Sequence, residues 1–309
     1  MNILIVGPGA MGCLFAARLR KDNHNVALLD YRPERAALIN KEGIRVEGVT
    51  GEYGIHVPAV IGKTSEAPDI VLICVKANQT KAAAQDLKTW LDPDTRILTL
   101  QNGLGNMETL EEIFGEGKVL GGVTSEGATL LAPGRIRHAG EGETIIGPED
   151  PPGGALAEII SLFASAGFRV RSAENVYDLI WGKLIINVGI NALTAITRLK
   201  NGLLPEIEGT KAVLERAVHE AVTVARAKGV SLPYPDPLER VLEVCGATSG
   251  NMASMLQDVL RQRETEVAFI NGAIVREGKA LGIPTPVNST LTFLVQAIQE
   301  SYDQRVGGE

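Results

Sequence analysis

The chain has 309 residues, 45% hydrophobic and 22% charged, a length at which one hydrophobic core usually gives way to two. Its net charge of -7, with no basic block, argues against a nucleic-acid partner and says nothing about fold. Cys13, Cys74 and Cys245 form no C-x-x-C pair, and the four histidines lack ligand spacing, which excludes a disulfide framework and a structural zinc and fits a cytoplasmic protein.

The chain opens with MNILIVGPGAMG, a strand pattern without the layout of a signal peptide. Residues 3–6 are wholly apolar and mostly β-branched, which suits a central parallel strand covered on both faces. Gly7-Pro8-Gly9-Ala10-Met11-Gly12 follows directly, and residues 13–20 have a helical pattern. A G-x-G-x-x-G between strand and helix is the dinucleotide fingerprint. Gly7 turns the chain, Gly9 lets a pyrophosphate approach the backbone, and Gly12 packs the helix close to the strand. The helix start offers unpaired N–H groups to the phosphates, with Ala10 and Met11 in its first turn. Asn25–Leu29 reads as the second strand and ends at Asp30, 18 residues after Gly12. An acidic side chain there can reach the adenosine ribose. A different adenosine-containing cofactor, such as a methyl donor, is the lesser alternative.

Asp30 favours the free hydroxyls of NAD, whereas Arg32 and Arg35 could each meet the 2′-phosphate of NADP with a bidentate contact. The choice between the two cofactors stays open at this point. Residues 70–75 and 97–100 read as further buried strands, ending in Lys76-Ala77-Asn78 and Gln101-Asn102-Gly103. Carboxyl ends of strands are where open α/β sheets bind ligands, so Lys76 and Asn102 are candidate site residues. Stretches 119–131, 134–138 and 143–146 read as short strands that extend the sheet through hairpins. Residues 155–166 read as a helix and 168–170 as a last strand, which closes a first domain over residues 1–173.

Residues 174–309 read as helical. The apolar run 184–196 is too short and too interrupted for a membrane span, and no membrane partner is expected. Lys183, Asn187 and Asn191 recur at i, i+4 and i+8, on one face of a helix that is otherwise apolar. Buried polar groups need partners, and a polar cleft accounts for all three better than an internal network. A second helix is expected from near Asn251 through residue 275, with Ser254, Asp258, Gln262 and Glu266 at four-residue intervals. Glu266 would be a natural partner for Lys183, and Ser254 could hold an anionic group.

These residues resemble the ketopantoate reductase (2-dehydropantoate 2-reductase) family over essentially the whole chain. The marks are GPGAMG at residues 7–12, VKANQT from Val75, QNGLGN from Gln101, KLIINVGINALTAI from Lys183 and SMLQDVLRQRETEVAFINGAIV from Ser254. The resemblance implies an α/β fold: an N-terminal Rossmann domain and an all-helical C-terminal domain, with the active site in the cleft between them. It implies that Lys183 is the general acid and that Asn187, Asn191 and Ser254 hold the ketoacid. Glu266 would help position substrate and cofactor, with Lys76 and Asn102 beside them. It implies NADP(H), with NAD(H) as the alternative, because Asp30-Tyr31-Arg32 departs from the basic residue the family often places after its second strand. The implied reaction is reduction of ketopantoate to pantoate on the way to pantothenate and coenzyme A.

Two alternatives stand beside it. One is reduction of another 2-oxo or hydroxy acid. β-Hydroxyacid dehydrogenases share the lysine–asparagine spacing but carry a glycine-rich stretch before the lysine, which residues 178–183 lack. The other is a non-catalytic dinucleotide sensor, which would not need Lys183, Asn187, Asn191, Ser254 and Glu266 together. A homodimer through the helical half is one option for oligomeric state. A free lysine titrates near pH 10.4, burial would lower that value and Glu266 would raise it; the sequence leaves that balance open.

Overall fold

A computed structural model describes residues 1–147 and 155–305, which fall into two compact units. Unit one comprises Met1–Gln101 and Asn106–Val176; unit two comprises Asn102–Gly105 and Tyr177–Glu309.

Unit one runs β1 (Asn2–Val6), α1 (Ala10–Lys21), β2 (Asn25–Leu29), α2 (Pro33–Glu42), β3 (Ile44–Gly48), β4 (Tyr53–Ile55), β5 (Ala59–Val60), β6 (Ile70–Ile73), α3 (Thr80–Lys88), β7 (Arg96–Thr99), α4 (Asn106–Phe114), β8 (Val119–Thr124), β9 (Gly127–Ala132), β10 (Arg135–Gly140), β11 (Glu143–Gly147), α5 (Ala155–Ser165) and β12 (Arg169–Ser172). Eight strands form one sheet in the order β12-β11-β8-β7-β6-β1-β2-β5. All neighbours are parallel except β8 and β11. The reason residues 3–6 and 70–73 are wholly apolar is visible in their packing. Ile3, Ile5, Ile70 and Leu72 face a core shared with Phe15 of α1 and Phe163 of α5. Leu4, Val6, Val71 and Ile73 face the opposite core, shared with Leu87 of α3 and Leu110 of α4. Alternate residues enter different cores, so residues 3–6 and 70–73 have no face left for a polar side chain.

The stretch between residues 119 and 147 departs from the sequence reading. Only β8 and β11 extend the main sheet. The β9–β10 hairpin leaves it for a second sheet in the order β4-β3-β10-β9, where β10 pairs in parallel with β3 some 90 residues earlier. Ile44, Val46 and Ile136 of this sheet share a core with α1, so its apolar face covers the outer side of that helix. A buried polar cluster lies where β10 meets its neighbours. His138 Nε2 lies 2.6 Å from Glu126 Oε2, and its Nδ1 lies 2.9 Å from Thr50 Oγ1. Arg18 of α1 stands 3.7 Å from the same carboxylate and stacks on Phe168. The buried Glu126 carboxylate thus has an imidazole and a guanidinium beside it, which offsets the cost of burying it alone.

Unit two is helical: α6 (Val176–Thr197), α7 (Glu208–Ala227), α8 (Pro237–Ala247), α9 (Ser254–Leu260), α10 (Asn271–Leu281) and α11 (Pro286–Glu300). Among the described residues, α6 is the one helix long and apolar enough to cross a membrane, but 67% of that stretch is buried within the protein. Gly189 explains how tightly it packs: a Cβ there would come within 2.9 Å of Val241 on α8 and 3.0 Å of Val218 on α7. A buried amide network locks the bundle. Asn271 Nδ2 donates to the Val188 carbonyl of α6 and to Asn288 Oδ1 of α11. Asn288 Nδ2 donates in turn to the Ala217 carbonyl and to Glu220 on α7. Pro237 and Pro286 start α8 and α11, and Gly282 ends α10 in a left-handed turn.

The continuous helix expected from Asn251 onward is broken. α9 ends at Leu260, Gln262 takes a positive φ of 52°, and a 3-10 turn over Val267–Phe269 precedes α10. The N–H groups of Arg261 and Arg263 both turn back to the Asp258 carbonyl, and the Thr265 N–H donates to Gln299 of α11. The four-residue repeat of Ser254, Asp258, Gln262 and Glu266 is therefore not one helical face.

Candidate active site

In unit one the sheet reverses its order at β1, with β2 on one side and β6 on the other. That is the switch point at which open α/β sheets receive ligands. The glycine loop lies at its carboxyl edge. Gly7 has a φ of +102°, and a Cβ there would come within 2.8 Å of the Val75 nitrogen. A Cβ on Gly12 would lie 2.1 Å from the Gly7 oxygen. Gly9 differs, since nothing lies within 4 Å of its would-be Cβ. Two glycines are thus needed by the fold and the third faces open space, as a bound pyrophosphate requires. α1 begins immediately after Gly9, with no side-chain cap and no acid in its first turn. Its first N–H groups, at Ala10 through Gly12, keep their capacity for an anion. These residues fit a dinucleotide.

Asp30 sits at the end of β2, yet its carboxylate is 0% exposed. Arg35 of α2 grips it through Nε and Nη2, and the Arg32 N–H donates to Oδ1 at 3.0 Å. Arg32 itself is exposed, and its Nε donates to the Tyr31 hydroxyl at 2.9 Å. Lys76 is half-buried just before the 3-10 turn that follows β6. Gln101 ties the two strand ends together: its amide donates to the Val75 carbonyl at 2.6 Å and to Thr80 Oγ1 at 2.9 Å. Thr80 Oγ1 donates onward to Asn106 Oδ1 at 3.1 Å. Asn78, in the same turn as Lys76, has a buried Oδ1 without a hydrogen-bond partner among the described residues.

In unit two, Lys183, Asn187 and Asn191 share one face of α6. Burial pushes the Lys183 ammonium down from 10.5 to about 8, while the nearby Glu266 carboxylate pulls it up. Burial is the larger influence, which decides the balance the sequence left open. Glu266 is buried at the start of the 3-10 turn, and its carbonyl accepts the Phe269 N–H. The Asn102 loop joins this turn. A Cβ on Gly103, at a φ of +89°, would lie 2.6 Å from the Phe269 oxygen, and the Leu104 N–H donates to that oxygen at 2.9 Å. Unit two thus gathers Lys183, Glu266 and the Asn102 loop. Asn191 is buried, and the Asn187 Nδ2 is buried without a hydrogen-bond partner among the described residues. Ser254 is exposed at the first residue of α9.

Asn201 escaped the sequence reading, because an Asn-Gly pair after a helix reads as a turn. Its Nδ2 donates to Thr248 Oγ1 at 2.9 Å and its N–H to the Asn251 carbonyl, while its Oδ1 is buried without a partner among the described residues.

A dinucleotide fold joined in one chain to a helical unit that holds an ammonium partly desolvated among amides belongs to nicotinamide-dependent oxidoreductases acting on carbonyl and alcohol groups. Residues 3–151 match the family model for ketopantoate reductase PanE/ApbA, and residues 175–299 match its C-terminal counterpart. The chain belongs to the ketopantoate reductase family. A 2-dehydropantoate 2-reductase of Halobacterium salinarum is 37% identical over 302 residues, covering 97% of this chain and 99% of that one. A ketopantoate reductase family structure from Ralstonia eutropha superposes with a TM-score of 0.91 at 35% identity, covering 98% of this chain and 100% of that one. The ternary structure of D-mandelate dehydrogenase with NADH and anilino(oxo)acetate gives a TM-score of 0.92 at 27% identity, covering 98% and 100%.

Proposed function

We propose that this protein is a 2-dehydropantoate 2-reductase that reduces ketopantoate to pantoate with NADPH, and that Lys183 is its general acid. The observation that carries the reading is the polar face of α6, where an ammonium held at about 8 stands in line with Asn187 and Asn191. When bound, a reduced nicotinamide would supply a hydride to the C2 carbonyl carbon of the oxo acid. Negative charge then develops on the carbonyl oxygen, and Lys183 Nζ donates a proton to it, giving the alcohol. A pKa near the working pH keeps Lys183 largely protonated, yet makes it a far better proton donor than a lysine at 10.5. Glu266 keeps the lysine from being pushed lower still and orients it. The unmatched Asn187 Nδ2 offers a donor to a substrate oxygen. Asn191, Asn102 and Ser254 complete the hold on the oxo acid. Gly7, Gly9, Ala10, Met11 and Gly12 cradle the pyrophosphate, and Lys76 stands at the same sheet edge. What supports NADPH is that the Asp30 carboxylate is already paired while Arg32, exposed beside it, would offer a cation to a 2′-phosphate.

The test is Lys183→Ala. Turnover of ketopantoate should fall by a factor of roughly a hundred or more with nucleotide affinity retained. Near-normal turnover would refute the assignment. A second reading is reduction of a different 2-oxo acid with NADH; the 0.92 TM-score of the D-mandelate dehydrogenase complex favours it. Faster turnover of an aryl oxo acid than of ketopantoate would decide for it.

A further inference from the structure

We propose that Arg35 sets the cofactor preference of this chain as a positioning residue: by occupying Asp30 it converts a ribose-binding carboxylate into a spent one and leaves Arg32 as a surplus cation for a 2′-phosphate. This rests on the reading that unit one binds a nicotinamide dinucleotide. An acidic residue at the end of the second strand ordinarily accepts hydrogen bonds from the ribose hydroxyls and repels a phosphate. Here both carboxylate oxygens are taken, Oδ2 by Arg35 Nε and Oδ1 by Arg35 Nη2 and the Arg32 N–H. The Asp30 side chain is 0% exposed and Arg35 is 22% exposed, so the pair is shielded from water on the carboxylate side.

The local charge count turns on Arg35. With it, Asp30 is cancelled and Arg32 remains. Without it, Asp30 and Arg32 cancel each other and the carboxylate regains free lone pairs. Glu34, in the same turn, is exposed and solvated. Cys13 is also near the pair, but burial pushes its thiol up to about 12, so it adds no charge. Tyr31 sets the geometry. It is 63% exposed, with the Arg32 and Arg35 guanidinium carbons 5.1 and 5.8 Å from its ring centroid. The Tyr31 hydroxyl accepts from Arg32 Nε and so restrains that side chain. The ring and the two guanidinium groups make a cationic platform suited to an adenosine bearing a 2′-phosphate.

The experiment uses calorimetric titration of the full chain with 2′,5′-ADP and with 5′-AMP, which report the adenosine end without turnover. The unmodified protein should prefer 2′,5′-ADP. Arg35→Met should weaken 2′,5′-ADP by about tenfold or more while leaving 5′-AMP unchanged or tighter, because charge complementarity to the phosphate is lost. The double variant Asp30→Asn/Arg35→Met should recover much of the lost 2′,5′-ADP affinity, since the repelling carboxylate is gone. Arg35→Lys keeps the cation without the fork and should retain a weaker preference, which serves as the test if Arg35→Met fails to fold. Equal loss of both nucleotides in Arg35→Met, or no recovery in the double variant, would overturn the action through Asp30. Equal loss in Arg35→Lys would do the same. Equal affinity of the unmodified protein for both nucleotides would instead sink the NADPH reading, and binding of neither would sink the dinucleotide reading.

Discussion

If Lys183 delivers the proton, kcat/KM for ketopantoate must decline along a basic limb centred near pH 8. A general acid acts only while it holds its proton. With the Lys183 midpoint at about 8, roughly 90% of the lysine is charged at pH 7 and roughly 10% at pH 9, so kcat/KM should fall about tenfold between them. A lysine at its ordinary 10.5 would be about 97% charged at pH 9 and would give a flat profile over that range. The Glu266 carboxylate opposes the effect of burial, so Glu266→Gln should move the limb to lower pH. The assay is the initial rate at subsaturating ketopantoate and constant ionic strength, from about pH 6 to about pH 10. A profile flat to pH 10, or a limb that moves upward in Glu266→Gln, would refute the reasoning.

The depressed lysine also bears on stability. Between about 8 and 10.5 the unfolded chain binds more protons than the folded one, so Lys183 makes stability rise with pH in that window and costs stability below it. Lys183→Met should therefore raise the neutral-pH unfolding free energy, by at most about 3 kcal/mol, and with it Tm, while cutting turnover as Lys183→Ala does; a lower Tm would contradict the burial argument. Gly9→Ala should fold normally, because its Cβ meets nothing within 4 Å, yet lose nucleotide affinity. Gly12→Ala should lower Tm as well, because its Cβ would lie 2.1 Å from the Gly7 oxygen; calorimetry with paired melts separates the two. Asn288→Leu removes one of the two acceptors of the Asn271 amide and the side-chain donor to the Ala217 carbonyl and Glu220, at a cost of about 3 kcal/mol in urea unfolding.

The legible parts of this molecule were those governed by local pattern. Residues 3–6 and Asn25–Leu29 announce buried parallel strands because both their faces are covered, and the glycine loop between strand and helix carries its own geometry. The polar face of α6 was readable because i, i+4 spacing survives along an unbroken helix. The same argument misled at Ser254 to Glu266, where equal spacing spans a helix end. Nothing local marks Gln262 as the residue that turns left-handed; the break is held by the distant Gln299. The second sheet was hidden for a related reason. Its core pairing joins β3 to β10 across some 90 residues, and hairpin patterns alone do not say which sheet a hairpin joins. Asp30 was legible as a residue type and place, but its partner Arg35 changes what the carboxylate can do. Charge pairing of that kind depends on where α2 lies against β2.

The most direct measurement of the central claim is the loss of reduced-nicotinamide absorbance when purified protein meets ketopantoate, with NADPH and NADH in parallel and the oxo acid of mandelate as competitor. Rapid oxidation of NADPH by ketopantoate, slower with NADH and slower still with the aryl oxo acid, is the predicted result. No oxidation by ketopantoate with either nucleotide, from folded protein that binds both, would contradict it.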